Sequence, residues 1–145
     1  MKKCKKCGEE KSLNEFRKNG KYVRHVCKYC EKFQERQRKR IKVDKIRQAL
    51  NDKKVELGCC ICSWNQFPFA LDLHHIDPDE KSFAVSVMLR SDGNSVTYKR
   101  LQNEIEKCCV VCSNCHRGLH AGIIPEPQSP VNIKLSESLF QTKGT

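Results

Sequence analysis

Leu73-His74-His75-Ile76-Asp77-Pro78, taken with Cys112-x2-Cys115-His116-x3-His120, decides how this chain is to be read. The first stretch is a double histidine closing the alternating run Phe69-Ala70-Leu71-Asp72-Leu73-His74, which has the period of a half-buried strand. The second is a cysteine knuckle running into two histidines four residues apart, which share one face of a helix. Imidazole is the commonest nitrogen ligand for metals and the usual base at neutral pH. Four of the five histidines of the chain fall in these two stretches, so a metal-assisted site is expected there. A lone core histidine is ordinarily a hydrogen-bonded polar group, and it is the pairing of the two stretches that argues for more. Adjacent strand residues face opposite ways, so His74 and His75 divide the work, one on a metal and the other on an attacking water. Asp77-Pro78 ends the strand and favours the bend this requires.

Outward from that centre the cysteines come next. Cys59, Cys62, Cys112 and Cys115 form a two-plus-two set whose halves are separated by 49 residues. A tetrahedral zinc there would pin the opening of the segment to its last helix. Cys109-x2-Cys112 and Cys60-x-Cys62 are alternative pairings. Cys112 and Cys115 are preferred because they abut His116, which leaves Cys60, Cys108 and Cys109 as buried thiols. Further upstream, Cys4-x2-Cys7 and Cys27-x2-Cys30 lie 19 residues apart, a spacing for a second structural zinc in a ribbon or knuckle. Gly8 and Asn19-Gly20 mark turns between them, and Tyr22 to Val26 alternates as a strand.

Composition supports staples of this kind. The 145 residues include 11 cysteines, only 38% are hydrophobic, and a core that thin needs metals or disulfides. C-x2-C pairs, an odd cysteine count and an opening Met1-Lys2-Lys3-Cys4 without an apolar leader favour zinc in a reducing, cytoplasmic setting. No run of about 18 apolar residues exists, so no membrane span is expected.

The net charge of +11 is unevenly spread. Residues 1–58 hold 20 lysines and arginines against 8 acids, whereas residues 59–145 hold 8 against 9. Such asymmetry is the footprint of a polyanion binder, the plain alternative being a solvated charged helix. Residues 31–57 read as one helix without Gly or Pro, stopped by Gly58. Val43, Ile46, Leu50 and Leu57 form its narrow apolar stripe, and Arg36, Arg38, Lys39, Arg40, Lys42, Lys45 and Arg47 are its candidate DNA contacts. At roughly 40 Å it would follow about one turn of duplex, or it would pair with a second copy of itself in a homodimer. Asp92-Gly93-Asn94 marks a loop, and Tyr98 to Lys107 reads as a helix with Leu101 and Ile105 on one face.

The expected layout is a Cys4 zinc-binding segment over 1–30, a basic helix over 31–58, a core with the second Cys4 site over 59–120, and an irregular, proline-bearing arm of no assignable role over 121–145. The fold class is small α+β, stabilised by zinc.

The double-histidine stretch, Lys81 and Phe83 after it, and Lys107-Cys108 through His116-x3-His120 together resemble the HNH endonucleases. Cys4-x2-Cys7-Gly8-Glu9-Glu10-Lys11, with Leu13 and Phe16, is similar to the zinc-binding segment preceding some phage and bacterial members. The resemblance spans residues 1–120. It implies a ββα-metal core and hydrolysis of double-stranded DNA to a 5′-phosphate and a 3′-hydroxyl, in a homing, restriction or packaging role. It further implies His75 as general base and His74, His116 and His120 as ligands of one catalytic Mg²⁺, Mn²⁺ or similar ion, with His120 alternatively on the scissile phosphate. Pro78 stands three residues after the base, as in the family. The middle asparagine, which orients the base histidine, commonly stands nine residues before the first helix histidine, where this chain has Lys107. Asn114 takes that role by its place in a subgroup of the family, or it caps the last helix. Asp72 is either a carboxylate behind a metal ligand or a strand-edge charge. The competing expectation is a non-catalytic zinc protein that binds DNA. A zinc nucleobase deaminase does not fit, because His-x-Glu and Pro-Cys-x2-Cys are both missing.

Overall fold

The computed structural model describes residues 1–89 and 97–141. It is a small α+β structure with a long helix and cysteine clusters able to bind zinc, divided into two compact units, Met1–Ile41 and Lys42–Thr145. The loop expected at Asp92-Gly93-Asn94 lies outside the described residues.

In the first unit, β1 (Lys2–Lys3) pairs antiparallel with β2 (Glu10–Lys11), and β3 (Phe16–Asn19) with β4 (Tyr22–Cys27). Gly20 makes the β3–β4 turn at φ +58°, a left-handed conformation that a side chain would disfavour. The core is minimal. Phe16 is buried with Cys4, Cys27 and Cys30, and Val23 and Val26 lean on them. So little apolar volume cannot hold two ribbons without a staple.

Helix α1 runs over Lys28–Leu57, three residues earlier than the composition predicts, so that Cys30 sits in its first turn. Gly58 stops it at φ +71°, its N–H returning to the Lys54 carbonyl at 2.8 Å. Of the expected stripe, Val43, Ile46 and Leu50 are buried in the core of the second unit. Leu57 is not. It is exposed at the helix end, where the chain turns away one residue later, and Val55 and Ala49 pack against the core.

The second unit is built on a two-stranded antiparallel sheet, β5 (Leu71–His75) on β6 (Cys108–Cys112). Leu71 lies opposite Cys112 and His75 opposite Cys108. Every residue of β6 is buried. The strand expected from Phe69 starts later, because Pro68–Ala70 form a 3-10 turn begun by a proline that cannot donate to a ladder. The Lys54 ammonium holds that turn by donating to the Pro68 and Leu71 carbonyls at 2.9 and 2.8 Å. After the single turn α2 (Val85–Met88), helix α3 (Tyr98–Ile105) buries Leu101 and Ile105. Helix α4 (Ser113–His120) follows β6 directly.

The described part of the C-terminal segment, residues 121–141, holds one 3-10 turn over Glu137–Phe140 and contributes to the core. Ile133 and Leu135 are buried, and Ile124, Val131, Leu139 and Phe140 pack against them or their neighbours. The Val131 N–H donates to the Cys108 carbonyl at 2.9 Å. Gln102 on α3 donates to the Ile133 carbonyl at 2.7 Å and accepts from the Leu135 N–H at 3.1 Å. Residues 121–141, read from the sequence as part of an arm of no assignable role, thus include a packed part of the second unit. Among the described residues, no helix is long and apolar enough to cross a membrane.

Candidate metal centre

Among the described residues, three groups of side chains gather donor atoms within 4.8 Å of one another. Two are cysteine tetrads.

In the first unit, Cys4, Cys7, Cys27 and Cys30 converge from the β1–β2 turn, the end of β4 and the opening of α1. The backbone builds the knuckle, with Gly8 N–H donating to the Cys4 carbonyl and Cys4 N–H to that of Glu9, both at 2.9 Å. The N–H groups of Lys6 and Cys27 point at Cys4 Sγ, at 3.4 and 3.3 Å. Backbone donation from Cys7, Cys27 and Lys6, working against burial, lowers the Cys4 thiol from its ordinary range to about 6. Thiolate is the ligand form, so Cys4 is the readily ionised member of this tetrad, whereas Cys7 is raised and Cys30 is pushed up to about 12, chiefly by burial.

In the second unit, Cys59 and Cys62 meet Cys112 and Cys115. Cys112 ends β6, and its sulfur caps α4 by accepting from the Cys115 N–H. Burial raises the Cys59 thiol, but N–H groups at Cys112, Cys62 and Ile61 outweigh it and bring the thiol down to about 7. The Cys62 and Cys112 sulfurs are 3.7 Å apart. With zinc–sulfur bonds of about 2.3 Å, a tetrahedron has edges of about 3.8 Å. The donor set fits zinc in kind and spacing, and both tetrads can hold structural metal ions. Cys108 and Cys109 are buried thiols pushed up to about 12, chiefly by burial. Cys60, expected to be buried with them, is exposed.

The third group is His74, His116 and His120. β5 supplies the first, and one turn of α4 supplies the other two. The His74 ring stands edge-on to His116 and His120, with centroids at 5.1 and 5.5 Å. His116 Nε2 lies 3.1 Å from His120 Nε2, and His116 Nδ1 lies 3.0 Å from Asp72 Oδ2. A carboxylate only accepts, so the Asp72 contact puts the proton on Nδ1 and leaves the Nε2 lone pair turned toward His120. Asp72 thus stands behind a candidate ligand. Three imidazoles at this spacing fit a divalent cation by donor chemistry.

His75 faces other partners. Its Nε2 meets Glu104 Oε2 at 3.2 Å. Glu104, on α3, is 2% exposed and also takes the Lys107 ammonium at 2.9 Å and the N–H groups of Ser82 and Phe83. Burial works against its charge, but Lys107, His75 and Phe83 overcome it and hold the carboxyl down to about 2. Glu104 is therefore an anion at neutral pH, and His75 donates to it through Nε2–H.

His74, His75, His116 and His120 line one cleft of about 620 Å³, together with Asp72, Phe69, Arg47, Lys54 and Lys81. Of the seven basic residues singled out in the sequence, only Arg47 lines it, and its guanidinium already donates to the Leu89 carbonyl at 2.8 Å and to Asp44. Lys42 lies over the Phe140 ring, with Nζ at 5.7 Å from the centroid. Lys45 is exposed. In the first unit, Arg36, Arg38 and Arg40 are exposed and Lys39 pairs with Glu35 at 2.8 Å. Asn114 lies exposed in the first turn of α4, and the cap of that helix is Cys112, which corrects the capping role considered for Asn114. Lys107 acts nearer to His75. Its carbonyl accepts from the Ile76 N–H at 3.2 Å, and its ammonium bonds Glu104.

Glu104 and Glu126 escape sequence reasoning. Glu126 Oε2 lies 3.0 Å from His74 Nε2. Each carboxylate is remote in sequence from its histidine, and no spacing ties them together. Comparison with known proteins returns no match to a family model, a curated protein or a solved structure.

Proposed function

We propose that this chain is a metal-dependent endodeoxyribonuclease of the HNH type that hydrolyses phosphodiester bonds of double-stranded DNA, its catalytic core the ββα-metal arrangement of β5, β6 and α4. The observation that carries this reading is the cleft itself. A three-imidazole donor group and a fourth histidine with its own carboxylate open onto the same space, edged by Lys54 and Lys81.

His74, His116 and His120 would hold the divalent cation. When bound, the ion supplies a Lewis acid for the charge developing on the phosphate and the leaving oxygen. His75 is the general base. With its Nε2–H tied to Glu104, its Nδ1 keeps the lone pair that would take a water proton. The water oxygen would then bond to phosphorus as the bond to the 3′-oxygen breaks, the departing oxygen taking a proton from solvent, which leaves a 5′-phosphate and a 3′-hydroxyl. Lys81, exposed at the edge of the cleft, offers charge to the backbone phosphates. The basic residues of 1–58 supply sequence-independent attraction to DNA, and the two tetrads hold zinc as structural staples.

A second reading is a zinc-containing DNA-binding protein without catalysis. It is favoured by the position of Asn114, exposed in α4 and not among the groups bonded to His75. Plasmid nicking separates the two. The nuclease reading expects supercoiled plasmid to be nicked with Mg²⁺, Mn²⁺ or Ni²⁺, and His75→Ala to bind DNA as before while losing at least 100-fold in nicking rate, the scale of a general base. Nicking by His75→Ala at the wild-type rate, or none by wild type with any of the three ions, would sink it.

A further inference from the structure

Three histidines of the cleft each meet one carboxylate: His116 meets Asp72, His75 meets Glu104, and His74 meets Glu126. The first two acids come from the sheet and from α3. The third comes from the C-terminal segment, which the proposed chemistry does not otherwise use. We propose that Glu126 is a positioning residue of the three-histidine metal site, its carboxylate fixing the ring and tautomer of His74. This inference rests on the metal-binding part of the function proposed above, and it makes the affinity of the site depend on residues 121–127.

The contact is built. Glu126 stands between Pro125 and Pro127, so the backbone on both sides is stiffened and Glu126 itself is biased to extended conformations. Just before it, the N–H groups of Ile123 and Ile124 both donate to the Gly118 carbonyl, at 2.9 and 3.2 Å. Gly118 lies midway between His116 and His120, and a Cβ there would come within 2.6 Å of Ile124 Cδ1. The glycine thus lets the segment seat directly on the helix turn that carries the two histidines. From that seat the chain delivers Glu126 to His74.

The chemical consequence follows from the acceptor nature of a carboxylate. With Oε2 at 3.0 Å, His74 Nε2 carries the proton, and Nδ1 keeps the lone pair a cation needs. A histidine whose tautomer and orientation are already set gives up less freedom when it binds metal. Carboxylates in this position commonly change metal affinity by about 10–100-fold.

The test uses the full chain loaded with zinc in its cysteine tetrads, titrated with Mn²⁺ and followed by loss of the free-ion paramagnetic resonance signal. Mn²⁺ prefers oxygen and nitrogen donors and so reads the histidine site. Glu126→Gln should bind Mn²⁺ about 10–100-fold more weakly than wild type at an unchanged thermal midpoint. In nitrogen–proton correlation spectra of the imidazoles, His74 should be a fixed Nε2–H tautomer in wild type and a mixture in the variant. Equal or tighter Mn²⁺ binding by Glu126→Gln, an unchanged His74 spectrum, or no Mn²⁺ binding by wild type would overturn the proposal. Plasmid nicking is scored separately. Nicking with an unaffected Glu126→Gln leaves the nuclease reading standing alone, and a weakened variant of a protein that never nicks leaves the positioning role standing alone.

Discussion

Glu104 carries more of the second unit than its place on a short helix implies. It ties His75, Lys107 and the Ser82–Phe83 backbone to one buried carboxylate. Removing one partner of a buried charge cluster leaves the others unpaired, so Glu104→Gln should lower stability to urea by about 3 kcal/mol at pH 7. The sign with pH is fixed. Its carboxyl is held at about 2 in the folded protein against an ordinary value of 4.5. Its stabilisation is therefore complete above about 4.5 and lost as pH falls toward 2, and the gap between variant and wild type should close over that window. At this scale the sequence was legible where chemistry is local. Histidines four apart on a helix and cysteines three apart announce a site by spacing alone. Glu104 and Glu126 reach their histidines across 29 and 52 positions, and no periodicity links such pairs.

At the scale of elements, helix α1 was readable because an uninterrupted run of helix formers closed by glycine has one local solution. The C-terminal segment was not, because its three prolines dominated the reading. A signal was there to be found. Val131, Ile133 and Leu135 alternate with polar residues, and it is Ile133 and Leu135 that are buried. Ile133 is fully buried, and truncating it opens a cavity beneath α3 that the Gln102 bonds keep from collapsing freely. Ile133→Ala should cost about 3 kcal/mol in urea unfolding. A change below about 0.5 kcal/mol would show that the segment is peripheral. The alternation from Phe69 is overruled at its start by Pro68 and by the grip of Lys54 on two carbonyls, so the strand begins at Leu71.

For the molecule as a whole, charge and sulfur set the behaviour. On the DNA-binding reading proposed above, the excess of basic residues ahead of residue 59 predicts an affinity that falls steeply with salt. Replacing Arg36, Arg38, Arg40 and Lys45 by alanine should flatten the slope of log K against log salt by about 3–4, measured by fluorescence anisotropy on one duplex. An unchanged slope would remove α1 from the DNA interface. The composition also announced that a thin core needs staples, which the two tetrads can supply. The partition of the eleven thiols has a practical consequence. Eight belong to the tetrads, two of the remaining three are buried, and Cys60 alone is exposed among those three. An alkylating reagent followed by intact mass spectrometry should therefore add one label per metal-loaded chain and up to eleven after chelation and unfolding. Labelling would then gauge the metal occupancy of the tetrads, read in daltons.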